Sequence, residues 1–584
     1  MKYLTFKSSV KPWKPIILLL LLLIEYTTPA IIHGQSLNKA DKNRPNIIYI
    51  LLDDVGFSDL QPYGSEIPTP NIDKLAKEGI RYNHFDTRAI CSPTRAALLT
   101  GRNNQTVGVM DLAVRDGGYP YNRGYITPKA GTVAQVLKKN GYRTSAVGKW
   151  HLTPRAQQYD SSSTRENWPS GKGFQNFYGW LAGWTDQYNP RGLGREIMEN
   201  NHPVPTPHAP GYDTEVAITN HAIEYLKDGF KNHPDQSQFL YMAMGAAHAP
   251  IQVPKRYIDK FSGVYEQGWD KLREKRFERQ KKMGIIPLNA VLNKRNPGDL
   301  AWDSLSPEQK TVFARFMATY AGYVTQADEQ IGRLINFLKD SGQYGNTVIF
   351  LMSDNGAAPE AGFEGNFYHP YRDTMTVHQM LNHLDELGTE QTQSLYQRPW
   401  AMLGDTPFKR YKLWPNLGGV RDPLIISWPG KIQDHGAIRS QYVDVIDITP
   451  TALDIAGAKA PEELDGSKQM DMAGKSIRET FSDPDAPTRD VQFFDLRGNR
   501  GIRKGDWRAI TTHENGTSFN EDKWKLYHLS NDFSEAVDVS DKYPEKLKEL
   551  KDLWWSQAKK YGALPLKEWS IRNLLPKGFK LDQK

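Results

Sequence analysis

The chain contains a single cysteine, Cys91, among its 584 residues. Structural disulfide bonds need pairs, so one cysteine excludes an internal disulfide framework. The thiol is therefore an intermolecular link, a buried inert group or a reactive group. Repeats and low-complexity tracts are also missing, while hydrophobic residues make up 39% of the chain, with 15 Trp and 28 Tyr. This composition indicates a well-packed globular protein and argues against a disordered one.

Long hydrophobic runs are missing too, which bears on membrane attachment. The apolar run at residues 16–24 ends at Glu25, well short of the ~20 residues that a membrane span needs. Lysines precede this run, and small and polar residues follow it. We therefore predict a secretory signal peptide over residues 1–34, cleaved near residues 30–35, with a retained anchor as the alternative. The mature protein is expected to be exported, either periplasmic or secreted, without a stable membrane span.

A strong excess of charge of one sign is also absent. The formal net charge is +7, and residues 1–34 contribute four Lys and one Glu, which leaves the mature chain near +4. This balance is too mild to indicate a nucleic-acid partner. One basic run occurs at residues 271–282. We interpret it as a solvated helix face, with a polyanion-binding surface as the alternative.

Apolar β-type runs alternate with amphipathic helical stretches, which is typical of an α/β protein with a largely parallel sheet. The length allows a large domain and a smaller one, which we place at residues 45–456 and 457–584. In the second segment we predict antiparallel strands at 500–510 and 523–529 and an amphipathic helix at 543–561. In the first domain, buried strands are predicted at 46–52, 144–148, 239–245 and 347–352. Helices are predicted at 71–79, with Asn71 as the N-cap, and at 132–141, with Thr132 as the N-cap. A third helix is predicted to end at residue 342.

Polar side chains suited to chemistry follow all four predicted strands of the first domain. Ligands of open α/β sheets bind at the carboxyl ends of the strands, so one shared site is the economical interpretation. Paired carboxylate and amide oxygens select Ca²⁺ or Mg²⁺ over zinc. Each of these residues taken alone has a simpler explanation as a turn residue or helix cap. They are Asp53, Asp54, Lys149, His151, His248, Asp354 and Asn355.

The neighbours of the lone cysteine read CSPTRAALLTGR. Pro93 stands where a helix can begin, which puts Cys91 at a helix N-terminus, where free N–H groups favour anions. Arg95 adds a positive charge one turn along. The alternative is a buried cysteine that packs the start of a helix.

This segment resembles the signature of the type I, formylglycine-dependent sulfatases, whose C-x-P-x-R core is recognised by the maturation machinery. The resemblance covers most of the mature chain and is greatest to bacterial arylsulfatases. It implies an alkaline-phosphatase-like α/β fold: a mostly parallel sheet flanked by helices, and a smaller C-terminal antiparallel sheet with one helix. The other matching segments are RPNIIYILLDDVGFSDL, GYRTSAVGKWHL, MGAAHAP, LMSDNG and PFKRYKLWPNLGGVRDPLIISWPG.

The same resemblance assigns roles to individual positions. It implies that Cys91 is converted to formylglycine by a formylglycine-generating or anaerobic sulfatase-maturating enzyme, and that Arg95 holds its hydrated form. Lys149, His151 and His248 match catalytic motifs, and Lys412 matches a sulfate-binding lysine. One departure is Leu417, where relatives often carry Glu or Gln, and we expect it to alter only the pocket rim. The implied ligands of one Ca²⁺ are Asp53, Asp54, Cys91, Asp354 and Asn355.

The implied reaction releases inorganic sulfate from aryl sulfates or sulfated carbohydrates. A sulfate ester repels nucleophiles, so cations must gather around it before attack. In the family's mechanism one hydroxyl of the hydrated aldehyde attacks sulfur, with Asp354 as base, and a formylglycine-sulfate intermediate forms. The second hydroxyl then loses its proton to His151 and sulfate leaves. His248, with Lys412, protonates the leaving oxygen.

Two other functions remain open. A phosphonate or phosphodiester hydrolase can share the fold and the formylglycine, and a non-catalytic glycan-binding protein can retain the fold. The aromatic, Gly-rich stretch with Trp180 and Trp184 either lines a sugar or aryl pocket or packs in the core. Irregular segments at residues 161–173 and 357–411 are expected to shape substrate choice.

Overall fold

The structure is a computed structural model that describes residues 44–159, 164–192, 194–205, 209–371 and 373–568. The predicted signal peptide lies outside these residues, so its export function stays a prediction. Among the helices of the described ranges, none has the length and apolar character required to cross a bilayer.

Strands of the described residues form one large sheet and three smaller ones. They are β1 Asn46–Leu52, β2 Ile80–Tyr82, β3 Phe85–Asp86, β4 Arg143–Lys149, β5 Asn176–Trp180, β6 Met198–Glu199, β7 His202–Pro203, β8 Gln238–Ala243, β9 Thr347–Ser353, β10 Leu424–Ser427, β11 Ile438–Arg439, β12 Val443–Asp444, β13 Glu463–Leu464, β14 Ser467–Lys468, β15 Val491–Leu496, β16 Asn499–Lys504, β17 Trp507–Thr511 and β18 Lys525–His528.

The large sheet has ten strands in the order β11-β2-β10-β9-β1-β8-β4-β5-β6-β7. Its centre, β9-β1-β8-β4-β5, is parallel throughout, and Ile48 of β1 pairs with Leu240 on one side and Ile349 on the other. Every residue of β1 and β9 is buried. Continuous apolar strands result when layers cover both faces of a parallel sheet. The four predicted strands of the first domain are confirmed as β1, β4, β8 and β9.

Helices cover both faces of this sheet. The long helix α8 starts at a capping box in which Ser306 accepts a hydrogen bond from the Gln309 backbone and Gln309 reaches back. The predicted Thr132 cap is confirmed for α3, whereas α1 is preceded by Thr69 and starts at Pro70, so the Asn71 cap is wrong. The helices are α1 Pro70–Glu78, α2 Cys91–Thr100, α3 Val133–Lys139, α4 Arg155–Tyr159, α5 Thr214–Asn232, α6 Lys255–Ile258, α7 Gly268–Lys282, α8 Pro307–Asp340, α9 Val377–Leu381, α10 Arg398–Gly404, α11 Leu417–Val420, α12 Ile448–Ile455 and α13 Pro544–Lys560.

The basic run at residues 271–282 belongs to α7 and is only partly solvated. Arg273 and Arg276 are buried, and the Arg276 guanidinium lies 2.7 Å from a carboxylate oxygen of Asp59 and 2.8 Å from one of Glu66. The interpretation of this run as a solvated face is therefore wrong for its inward side, where the cations compensate buried carboxylates.

A separate four-stranded antiparallel sheet, β15-β16-β17-β18, forms near the C-terminus. The single strand predicted over residues 500–510 is wrong, because a turn divides this segment into β16 and β17, and β15 precedes them. The predicted helix is α13; it buries Leu550, Trp554 and Ala558, and the Trp554 indole N–H donates to the Phe494 carbonyl at 3.0 Å. The division of the chain at residue 456 stays a prediction.

Candidate active site

Two neighbouring parallel strands carry the acidic residues. Asp53 and Asp54 follow β1, Asp354 and Asn355 follow β9, and all four side chains are buried. The Asp54 backbone N–H donates to Oδ1 of Asp354 at 3.3 Å, and Nδ2 of Asn355 donates to Oδ1 of Asp54 at 2.7 Å. The pairing of β1 with β9 therefore brings together the Asp53–Asp54 and Asp354–Asn355 pairs, which lie 300 positions apart in the sequence.

Cys91 is the first residue of α2, two positions earlier than Pro93 suggested. The preceding residue, Ile90, makes no side-chain capping bond, so the first N–H groups of the helix remain available to an anion. The thiol is 2% exposed, and Sγ lies 3.2 Å from Nδ1 of His151. Burial raises the pKa of the Cys91 thiol to about 11, so an unmodified thiol there is protonated at neutral pH and a poor nucleophile.

The segment that follows β4 delivers Lys149 and His151. Gly148 has φ +90°, and a Cβ at this position would lie 1.8 Å from the Ala243 carbonyl oxygen, so only glycine allows β4 to approach β8 this closely. Nζ of Lys149 lies 2.5 Å from Oδ2 of Asp53. Burial, assisted by the charge of Lys149, lowers the pKa of His151 well below its ordinary value, so this imidazole is neutral and can accept a proton.

Arg95 lies one turn into α2 and is fully buried. Its guanidinium donates to Oδ2 of Asp354 at 2.8 and 3.1 Å and to the Lys149 carbonyl at 2.9 Å. Burial alone would lower the pKa of Arg95, but Tyr241 and the carboxylates of Asp354 and Asp53 raise it above its ordinary value. In this structure Arg95 holds the Asp354 carboxylate; a contact with hydrated formylglycine stays a prediction.

Lys412 and His248 both approach the Asp54 carboxylate. Nζ of Lys412 lies 2.9 Å from the Asp54 carboxylate and 2.8 Å from that of Glu360. Burial alone would lower the pKa of Lys412, but these two carboxylates raise it well above its ordinary value. The His248 imidazole donates from Nδ1 to the Ala249 carbonyl at 2.6 Å, which turns Nε2 towards Asp54, 3.6 Å away.

The acidic residues fit a hard divalent cation. Oδ1 of Asp53 and Oδ1 of Asn355 are buried and accept no hydrogen bond from the described residues. Burial and the neighbouring carboxylate of Asp354 raise the pKa of Asp53 despite Lys149, so a further cation beside this carboxylate would be stabilising. Ligand atoms of Asp53, Asp54 and His248 lie within 4.8 Å of one another. Oxygen is preferred by Ca²⁺, so Asp53, Asp54, Asp354 and Asn355 are the better candidates than the imidazole.

The expectation for Leu417 is wrong. Leu417 is fully buried, and its backbone N–H donates to Oε2 of Glu535 at 2.9 Å, so it does not form the pocket rim. Of the two alternatives for the aromatic stretch, core packing holds for Trp180, which is 1% exposed, whereas Trp184 lines a cavity.

Sequence reasoning missed Glu360. It lies five residues beyond Asn355, in the loop after β9, and reaches Lys412. An acidic residue so soon after a strand that ends in Asp-Asn is a signal that could have identified it.

The sulfatase family model matches residues 45–458 of the chain. The chain belongs to the sulfatase family. A second model, described as the C-terminal region of N-sulphoglucosamine sulphohydrolase, matches residues 412–560. The prediction of a sulfatase enzyme is confirmed.

Similar proteins cover most of this sulfatase. An uncharacterized sulfatase of Schizosaccharomyces pombe is 34% identical over 540 residues, which is 88% of this chain and 94% of that protein. An arylsulfatase of Klebsiella aerogenes is 31% identical over 453 residues, or 75% of this chain and 92% of the relative. The crystal structure of Ps i-CgsB in complex with k-i-k-neocarrahexaose has a TM-score of 0.62 at 24% identity and covers 91% of this chain and 96% of that one.

These similarities bear on the fold expectation. The large, mostly parallel sheet flanked by helices, with its separate small antiparallel sheet, is the alkaline-phosphatase-like architecture of sulfatases. The predicted fold class is thus confirmed.

Proposed function

We propose that this sulfatase hydrolyses sulfate monoesters by means of a formylglycine made from Cys91, assisted by one Ca²⁺. The observation that carries the proposal is the position of Cys91. The sole cysteine starts α2, faces Nδ1 of His151 at 3.2 Å, and has Lys149 and Lys412 as the cations that act most strongly on it. A maturation enzyme of the formylglycine-generating or anaerobic type would make the conversion.

Positive charge is what a sulfate ester requires of its site. The side chains of Lys149 and Lys412 and the first N–H groups of α2 surround position 91, and each can stabilise negative charge on sulfate oxygens. Asp53, Asp54, Asp354 and Asn355 would hold calcium. The ion would add positive charge that offsets the negative charge of the buried carboxylates. Both lysines already contact these carboxylates, so their positions are set before substrate binds.

Formylglycine is suited to this site because its hydrate would carry two hydroxyls on one carbon. One oxygen could bond to sulfur as the ester's alcohol leaves, and the other hydroxyl could then lose its proton as the carbon–oxygen bond to sulfate breaks and the aldehyde returns. Neutral His151 is placed to accept a proton from the side chain at position 91. Asp354, held by Arg95, is the second basic group.

His248 is placed to deliver a proton to the leaving oxygen. Its Nδ1–H is held by the Ala249 carbonyl, so the proton must come from Nε2. Burial lowers the pKa of His248, and Asp54 opposes this. The negative charge of a bound sulfate ester would favour the protonated imidazole further, so we expect proton uptake when substrate binds.

Aryl sulfates and sulfated carbohydrates are both candidate substrates. The Klebsiella aerogenes relative is an arylsulfatase, and the C-terminal region resembles that of an N-sulphoglucosamine sulphohydrolase. Export to the periplasm or the medium, proposed from the N-terminal sequence, would expose the enzyme to either class.

Assays on a sulfate ester and on a phosphonate ester distinguish a sulfatase from a phosphonate hydrolase. The matured enzyme would be assayed with para-nitrophenyl sulfate and with the para-nitrophenyl monoester of phenylphosphonate. We expect the larger kcat/KM on the sulfate, with release of inorganic sulfate. A clear preference for the phosphonate would overturn the proposal, and binding of sulfated glycans without turnover by protein that carries formylglycine would favour a binding protein.

A further inference from the structure

Glu215, in the first turn of α5, is a fully buried carboxyl group to which the proposed mechanism gives no role. Its Oε1 accepts the backbone N–H of Gly245 at 2.8 Å and that of Ala246 at 2.9 Å. These two residues lie just beyond β8 and shortly before His248. A side chain of one helix is therefore bound to the turn that carries the imidazole of the proposed proton donor.

The turn from residue 245 to residue 248 is fixed by hydrogen bonds from its backbone N–H groups. The His248 N–H donates to the Gly245 carbonyl at 2.9 Å, and the Ala247 N–H donates to the Asp53 carbonyl at 2.6 Å. Glu215 supplies the acceptor for the other two N–H groups. A buried N–H group without an acceptor is strongly unfavourable, so without this carboxyl the turn would change its path to recover a partner.

The Glu215 carboxyl is itself held in place by two helices. The Tyr323 hydroxyl of α8 donates to Oε1 of Glu215 at 3.2 Å. Asp213 caps the N-terminus of α5 by accepting the Val216 N–H at 3.1 Å, and the Gln326 side chain of α8 donates to Asp213 at 2.6 Å. The position of the acceptor is therefore set before substrate binds.

The His248 imidazole follows the path of this turn. Its Nδ1 donates to the carbonyl of the next residue, Ala249, at 2.6 Å, so the ring is tied to its own segment of backbone. Nε2 then faces the Asp54 carboxylate at 3.6 Å. A shift of the turn would carry Nε2 with it, and a displacement of about 1 Å can lower the rate of a catalysed step roughly 100-fold.

We propose that Glu215 is a positioning residue for His248: through the turn of residues 245–248 it directs Nε2 at the leaving oxygen of the substrate. The inference rests on the proposed sulfatase function. Oε2 of Glu215 is buried and has no hydrogen-bond partner among the described residues, so the role needs one acceptor atom. Burial, with the neighbouring charge of Asp213, raises the pKa of Glu215 to about 8. The carboxyl is therefore largely neutral at pH 7, and Glu215→Gln keeps its shape and its acceptor.

Two aryl sulfates test this inference through their leaving groups. Proton donation matters most when the leaving oxygen is strongly basic, and phenol is a weaker acid than para-nitrophenol. The matured wild type, Glu215→Leu and Glu215→Gln would be assayed on phenyl sulfate and para-nitrophenyl sulfate. In Glu215→Leu we expect kcat/KM to fall about 100-fold on phenyl sulfate and less than about tenfold on para-nitrophenyl sulfate. Glu215→Gln should stay within about threefold of the wild type on both.

Asp328→Leu is the matched control. Asp328 is also a buried carboxyl group that accepts two backbone N–H groups, those of Asn71 at 3.2 Å and Ile72 at 2.8 Å, at the start of α1. This helix carries none of the proposed catalytic residues, so the variant should lose stability without a change in the ratio of the two kcat/KM values. Tyr323→Phe is a milder test, because it removes one hydrogen bond to Glu215, and it should lower kcat/KM on phenyl sulfate selectively, by about two- to fivefold.

Each outcome has a distinct meaning. A parallel loss on both esters in Glu215→Leu, no loss on either, or a Glu215→Gln variant as slow as Glu215→Leu would overturn the positioning role. If Glu215→Leu does not fold, an unchanged ratio of the two kcat/KM values in Tyr323→Phe would overturn it. Failure of formylglycine-containing wild type to release sulfate from any ester would instead overturn the proposed function. A crystal structure of Tyr323→Phe or Glu215→Leu gives a readout independent of activity: Nε2 of His248 should be displaced, and an unmoved imidazole in Glu215→Leu would contradict the inference.

Discussion

Removal of the Lys412 side chain should affect catalysis and stability through two different partners. The ammonium group is buried between Asp54 and Glu360, and we propose that it also contacts the sulfate of the substrate. Lys412→Ala therefore deletes one charge-assisted hydrogen bond to substrate and leaves Glu360 as a buried carboxylate without its cation.

Magnitudes follow from this geometry. A hydrogen bond to a charged group contributes about 1.5–3 kcal/mol, so kcat/KM should fall by roughly 10- to 150-fold. Loss of one partner from a buried ion pair costs about 3–5 kcal/mol of unfolding free energy. Burial already raises the pKa of Glu360 despite Lys412, so protonation of this carboxyl would limit the cost to the lower part of that range. Glu360→Gln in the Lys412→Ala background removes the unpaired buried carboxylate and should restore part of the unfolding free energy.

The assay is a double-mutant cycle of Lys412→Ala and Glu360→Gln. Unfolding free energies come from urea titration, kcat/KM from para-nitrophenyl sulfate, and calcium content from elemental analysis. Lys431→Ala, an exposed lysine of the same domain, is the control. An unchanged kcat/KM in Lys412→Ala would refute the sulfate contact. Equal stability of the single Lys412→Ala variant and the double variant would refute the buried pair.

Three further perturbations test other parts of the site. Cys91→Ser should retain the fold by circular dichroism but lose multiple-turnover sulfate release; turnover at a near-native rate would contradict the mechanism. Asp53→Asn should lower the calcium content, whereas Lys412→Ala should leave it largely unchanged; metal loss in Lys412→Ala would show that the ligand set is wrong. Burial raises the pKa of Glu215 to about 8 from an ordinary 4.5, so its stabilising effect is present below about pH 4.5 and lost as pH rises towards 8, on the order of a few kcal/mol. The Tm of wild type should therefore fall between pH 5 and 8 more steeply than that of Glu215→Gln, and equal slopes would refute this.

The strands of the large sheet could be predicted because both of their faces are buried. A run such as NIIYILL in β1 needs no knowledge of its neighbours to be identified. The carboxyl-end rule then located Asp53, Asp54, Asp354 and Asn355 at one edge, and the structure brings them into contact.

Features that depend on contacts distant in sequence could not be predicted in this way. Arg276 lies in a run of charges that resembles a solvated face, and its burial is evident only when Asp59 and Glu66 are placed against it. The expectation for Leu417 came from the Glu or Gln that relatives often carry at this position, but Glu535 from the C-terminal part covers its backbone. The position of Glu360 soon after Asp354 and Asn355 is a signal in the sequence, but its ion pair with Lys412, 52 positions away, depends on the fold.

The central claim is that position 91 carries an aldehyde in the active enzyme. Mass spectrometry of the tryptic peptide of residues 89–95, from protein made in its own kind of host, tests it most directly. We predict a formylglycine at position 91 that a hydrazide reagent traps, in a fraction that matches the active fraction of the preparation. Protein that turns over sulfate esters repeatedly while position 91 is entirely an unmodified thiol would contradict the account.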